Sequence, residues 1–213
     1  MLNDSVRMRD ILTELSGTHW VAVKFYASKP RGVKLSVPAP FCAAAAEALT
    51  EASLMKVSSI PCGGARYAFS VPGAKAPVMR DFVPARLNKL IEPLSAAMRA
   101  PRLPFSPAYV GFNQLGGADL YLSFMLNESA NELAQAWGQL TGKRLDCRFT
   151  GVMSFCSEGA AAAIDRKRPA FSLGCSRSIK AAGLQGQVCV CLHERNAARL
   201  ARAWLAAPAG SRV

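Results

Sequence analysis

The sequence predicts an α+β fold: a single compact domain in which helices flank a mixed sheet. Apolar residues alternate as in strands at 21–25, at 120–126 and again at 187–192. Apolar residues recur at helical spacing at 5–15 and 129–142. The two kinds of segment are mixed along the chain without the regular rhythm of β-α-β units, which favours α+β over α/β.

Residue types that commonly begin or end helices mark the ends of the first two helices. The helix at 5–15 should end at Gly17, because glycine readily adopts the backbone conformation that follows a helix. The helix that ends near Gly142 has a capping-box pattern at its start, Ser129 followed three residues later by Glu132. In that pattern each side chain accepts a hydrogen bond from a backbone amide that the helix leaves unpaired.

Two further helices are predicted from apolar spacing. The first spans 84–100 and ends at Pro101, since proline cannot donate the next helical hydrogen bond. The second is a terminal helix within 196–205.

Composition excludes several classes of protein. Hydrophobic residues make up 51% of the 213 and charged residues 19%, which is ordinary globular usage rather than that of a disordered or fibrous chain. No apolar run approaches the roughly 20 residues that span a bilayer, and the first ten residues do not resemble an export signal. We therefore expect a cytoplasmic protein without a membrane partner.

The chain is strongly basic. Its 26 lysines and arginines outnumber 14 aspartates and glutamates, giving a formal net charge of +12. Such a charge attracts acidic proteins or nucleic acid. The basic residues are scattered, and no RNA-binding, zinc-finger or helix-turn-helix motif is present. The scattered charges are most simply a solvated basic surface. Where they serve binding, the expected partner is an acidic redox protein, and nucleic acid is possible but not favoured.

The cysteines follow an internal repeat. An aromatic residue and a cysteine enter a small-residue stretch at Cys42 and again at Cys156. A second cysteine follows, 20 residues later at Cys62 and 19 residues later at Cys175. The pattern predicts two diverged copies of one unit. The predicted halves are residues 1–105 and 106–213.

These four cysteines stand at positions where backbone amides can stabilise a thiolate. Cys42 and Cys156 stand where helices begin, and the unpaired amides there stabilise a thiolate. Cys62 and Cys175 stand in glycine-containing turns, whose amides can point at sulfur. Seven cysteines without an export signal do not suggest a disulfide framework.

Four thiolates repel one another unless a metal neutralises them. Zinc sites usually contain closely spaced C-x2-C pairs, which this quartet lacks, whereas single ligands from four separate segments suit an iron–sulfur cluster of the [4Fe–4S] type. Arg66 and Arg177 would then be neighbouring charges that tune its potential. Inert core cysteines and reactive thiols remain the alternatives.

The remaining cysteines and the two histidines are less informative. Cys189 and Cys191 share one face of a strand and are expected in the core, while nothing organises Cys147. His193 is a candidate general base and His19 a candidate ligand, although either is more commonly an ordinary polar residue.

Five motifs carry a resemblance to a known family: residues 21–25, Phe41-Cys42, Cys62-Gly63-Gly64-Ala65, Ser154-Phe155-Cys156 and Ser172-Leu173-Gly174-Cys175. They resemble an uncharacterised family, domain of unknown function 169. The resemblance covers about residues 10–200 and implies that the repeat quartet is the family's cysteine set. The family pattern continues after its last cysteine with any residue, glycine, serine and arginine, so this chain departs from it after Cys175.

The functional expectation is a cytoplasmic iron–sulfur protein. It would transfer electrons or support a redox or cofactor-pathway enzyme, and its basic surface would dock an acidic partner. One alternative is a thiol-dependent enzyme with Cys42 or Cys156 as nucleophile. The other is a basic binding module for nucleic acid or an acidic protein, with the cysteines in its core.

Overall fold

The computed structural model describes residues 5–48, 52–75, 100–114, 116–145, 154–174, 179–180 and 182–208. Apart from Ala100, the predicted helix over 84–100 lies outside these residues. Cys147, Cys175 and Arg177 also lie outside them.

Six strands form one sheet. Its order is β2-β3-β1-β4-β6-β5, and all five pairings are antiparallel. The strands are β1 (Val21–Tyr26), β2 (Ser53–Lys56), β3 (Tyr109–Phe112), β4 (Leu120–Leu126), β5 (Ala170–Ser172) and β6 (Gln187–His193).

The α+β class is confirmed, but the predicted mixed sheet is wrong. Strands β1 and β2 run parallel and are joined through a helix, yet β3 inserts between them and pairs antiparallel with both. Strand β6 separates β4 from β5 in the same way. Each crossover is therefore a split β-α-β unit, and among the described strands no two parallel ones are neighbours.

The strand order is the same in the two parts of the sheet. In each part the first strand lies at the centre, the third beside it and the second at the edge. Strand β3 belongs to the first part by pairing, although it follows the predicted boundary at residue 105. This order is what a repeat would produce, and the repeat itself stays a prediction.

Helices cover both faces of the sheet. Three long helices pack together on one face, and shorter helices cover the other. The long helices are α1 (Ser5–Ser16), α4 (Asn127–Thr141) and α6 (Glu194–Ala206). The shorter ones are α2 (Phe41–Glu47), a 3-10 turn (Val57–Ser59), α3 (Gly63–Ala68), a π-helix (Ser154–Ala161) and α5 (Ala162–Arg166).

The helix ends follow the sequence signals only in part. Gly17 and Gly142 have positive φ and end α1 and α4, as glycine permits at these positions. The capping box is wrong, because α4 begins two residues before Ser129, and its N-cap residue, Leu126, makes no side-chain cap. Among the described helices, none is long and apolar enough to cross a membrane.

The alternation of side chains along the strands divides the core in two. In β6, Cys189 and Cys191 point toward the short helices, while Val188 and Val190 point toward the long ones. We call the first side of the sheet the cysteine side and the second the long-helix side. All the described cysteines pack in the core of the cysteine side.

The centre of β4 should carry a large share of the stability. Leu122 is fully buried there, whereas Leu126, at the end of the same strand, is 57% exposed. We expect Leu122→Ala to lower the free energy of unfolding by about 2–5 kcal/mol, because it removes buried methyl groups and leaves a cavity. Leu126→Ala, the matched control, should change it by less than about 1 kcal/mol. Urea unfolding measures both, and equal losses would contradict this packing.

Candidate thiol site

Three members of the predicted quartet lie on the cysteine side. Cys42 is the second residue of α2, and Cys156 is the third residue of the π-helix. Their side chains are 5% and 8% exposed, so neither presents much surface to a substrate. Cys62 is half-buried and packs against the same core. Cys62 was predicted to lie in a glycine-containing turn. Instead, the glycines that follow it begin α3, and Cys62 is the N-cap residue of that helix.

A second pair of thiols lies beside them. The sulfurs of Cys189 and Cys191 are fully buried and 3.7 Å apart, within hydrogen-bonding distance. Burial raises the pKa of Cys189 well above its ordinary value, and the hydrogen bond and charge of Cys191 raise it further. Negative charge on Cys42 or Cys156 acts in the same direction. All three of these thiols therefore act on Cys189 in the direction that keeps it a neutral thiol.

The helix that carries Cys156 is unusual. Residues Ser154–Ala161 form a π-helix of 8 residues, a conformation that is rare and often marks functional sites. Ser157 and Glu158, the next two residues, are also buried, and the hydroxyl of Ser157 donates to the carbonyl of Pro101 at 2.5 Å. The segment thus brings a thiol, a hydroxyl and a carboxyl group into the interior.

Gly174 brings together the two cysteine segments of the second predicted half. Its φ is +79°, and a Cβ atom built there would lie 2.5 Å from the ring of Phe155 and 2.7 Å from Ile179. Only glycine fits both the backbone conformation and the space. The residue before Cys175 therefore contacts the residue before Cys156.

Positive charge lies at the surface of α3. Arg66 is exposed on this helix, one turn after Cys62. The Arg102 guanidinium stacks on the Tyr67 ring at 4.6 Å and donates to the Tyr67 carbonyl at 3.1 Å. These contacts hold a second cation beside α3, where sequence reasoning predicted only Arg66.

The described cysteines are not arranged around a single metal ion. Within the described ranges, no three side chains of His, Cys, Asp or Glu have the geometry to hold one. A [4Fe–4S] cluster makes a different demand, because each cysteine binds a different iron and the ligand sulfurs stand on separate corners. Thiolate sulfur is the donor that such a cluster takes, so the donor set fits its chemistry.

The histidines do not join the thiols. His193 is the N-cap residue of α6, and its Nδ1 accepts a hydrogen bond from the Arg195 amide at 3.2 Å. Burial lowers its pKa. Its neighbour Asp119 accepts a hydrogen bond from the Phe25 amide at 2.7 Å, and burial raises the pKa of this carboxyl. His19 is exposed.

A family model matches residues 15–192 of the chain. The chain belongs to domain of unknown function 169. The family is described as uncharacterised ArCR, so membership confirms the predicted relationship without assigning an activity. No curated protein matches the chain. No solved structure matches it either.

Sequence reasoning missed two features of the candidate thiol site. Cys189 and Cys191 were expected in the core, which is confirmed, but their proximity to Cys42 and Cys156 was not foreseen. The burial of Glu158 was not foreseen either. For the cysteine pair, a signal existed in the strand alternation, which places both sulfurs on one face.

Burial predicts the order in which the thiols react. We expect an alkylating reagent to modify Cys62 in the native, iron-free protein well before Cys42, Cys156, Cys189 or Cys191, because only Cys62 among these five is half-exposed. Peptide mass mapping at successive times measures the order, and guanidinium-unfolded protein is the control in which all five should react. Rapid native modification of Cys189 would contradict the packing described here.

The contact at Gly174 predicts a specific loss of stability. Gly174→Ala should lower the free energy of unfolding by more than about 1 kcal/mol, since alanine meets both a positive φ and the Phe155 ring. Gly183 is the matched control, because its φ is +67° and a Cβ atom built on it would meet no atom within 4 Å. Urea unfolding should show a clearly larger loss for Gly174→Ala than for Gly183→Ala. Equal losses would mean that Phe155 does not constrain this residue.

Proposed function

We propose that the protein binds an iron–sulfur cluster of the [4Fe–4S] type through Cys42, Cys62, Cys156 and Cys175. The observation that carries the proposal is the gathering of three of these cysteines in one core on one side of the sheet. The contact of Gly174 with Phe155 supports the inclusion of Cys175, because these residues directly precede Cys175 and Cys156. When bound, the cluster supplies one-electron redox chemistry.

The surroundings suit such a group. The cysteines lie among apolar side chains, and a low-dielectric environment with few water molecules is one means by which proteins set a cluster's potential. The chain itself supplies the ligands, the apolar shell and the protonated Cys189 thiol nearby.

The role we propose is electron transfer to or from an acidic partner, or support of a redox or cofactor-pathway enzyme. Arg66 and Arg102 lie at the surface of α3, which begins at Cys62. An acidic protein docking there would approach the cluster from the half-buried side of the site, and the net charge of +12 would speed its association. Arg177 remains a proposed second charge that tunes the potential.

Anaerobic reconstitution tests the cluster. Protein incubated with iron, sulfide and reductant should become brown and retain about four iron and about four sulfide per chain. Cys42→Ser and Cys156→Ser should each lose most of this iron, because each removes a proposed ligand.

Cys147→Ser is the matched control, since this cysteine lies outside the quartet, and it should retain iron as the unmodified chain does. Circular dichroism confirms that each variant is folded. Iron-free unmodified protein after reconstitution would overturn the proposal, as would equal iron retention in all three variants.

A further inference from the structure

A cavity of about 500 Å³ lies on the long-helix side, between α1, the start of β4 and α6. Its volume falls within the usual range for sites that bind small molecules. Met8, Ala118 and Tyr121 line its base and are buried in the core of that side. The cavity is therefore separated from the cysteines by the sheet and is independent of the proposed cluster.

Two arginines line the outer wall of this cavity. Arg195 and Arg202 are exposed and seven residues apart on α6, which places their backbones about 10 Å apart along the helix axis. Ala198 lies between them on the same face and also lines the cavity. Its side chain is small and takes up little of the cavity between the two arginine positions. Within the described residues, neither guanidinium makes a hydrogen bond or an ion pair.

Further polar groups add to the wall. Gly117 lines the cavity, and a Cβ atom built on it would lie 3.9 Å from the Lys24 ammonium, so a third cation is close by. Glu194, at the first turn of α6, is the acidic member of the lining. Cations outnumber carboxylates at the wall, while one carboxylate remains to accept hydrogen bonds.

We propose that this cavity binds a phosphorylated small molecule of the nucleotide class. Planar guanidinium groups pair with phosphate oxygens through two hydrogen bonds at once, which assigns the phosphate to Arg195 and Arg202. A carboxylate accepts hydrogen bonds from sugar hydroxyls, which assigns the ribose to Glu194. The buried apolar base of the cavity, formed by Met8 and Ala118, then receives the nucleobase.

Calorimetric titration of the full chain with adenosine monophosphate tests the proposal. We expect saturable binding, which the double variant Arg195→Gln/Arg202→Gln weakens about tenfold or more, because it removes both partners of the phosphate. The matched control is Lys34→Gln/Lys56→Gln, which removes the same charge near the edge strand β2, away from the cavity, and should bind as the unmodified chain does. Adenosine, which lacks the phosphate, should bind at least about tenfold more weakly than the monophosphate.

A variant that keeps every charge separates the cavity from general attraction of anions. Ala198→Leu fills the space between the two arginines and should weaken binding of adenosine monophosphate while the protein remains folded, as judged by circular dichroism. No saturable binding to the unmodified chain would overturn the proposal. Equal affinity in the arginine variant and its lysine control would overturn it, as would unchanged affinity in Ala198→Leu.

Discussion

The structure depends on burying both faces of a single antiparallel sheet. Because successive side chains of a strand point to opposite faces, every central strand must supply apolar residues at consecutive positions. Strand β6 meets this requirement with Cys189 and Cys191 on one face and Val188 and Val190 on the other. The described cysteines therefore belong to the core, and any chemistry they perform takes place in an apolar interior.

Local signals predicted the elements that local forces determine. The long helices and β1, β4 and β6 were recognisable because their apolar periodicity extends over several residues, and Gly17 and Gly142 ended α1 and α4 as predicted. The pairing pattern was not recognisable, since the insertion of β3 between β1 and β2 is a contact between distant segments. The capping box predicted at Ser129 was wrong because the same residue types occur both as caps and inside helices, and Ser129 lies inside α4.

The membership of the thiol site could be predicted from the sequence, but its contacts with other segments could not. Spacing identified four cysteines as a set, and the fold places the three described members on one side of the sheet. The set is Cys42, Cys62, Cys156 and Cys175. Spacing carries no information about which helix covers which strand, so the approach of Cys189 to this set required the tertiary structure. The need for glycine at Gly174 likewise arises from a ring 19 residues earlier in the chain, at Phe155.

The tertiary structure also gives meaning to the scattered positive charge. In the sequence, the basic residues form no motif, yet the fold groups some of them on opposite sides of the sheet. Arg66 and Arg102 lie beside α3 on the cysteine side, and Arg195 and Arg202 border the cavity on the long-helix side. One continuous footprint for a nucleic acid would require a single charged surface. Among the described residues, these two basic groups lie apart, as the two proposals require: a protein at the first group and a small anion at the second.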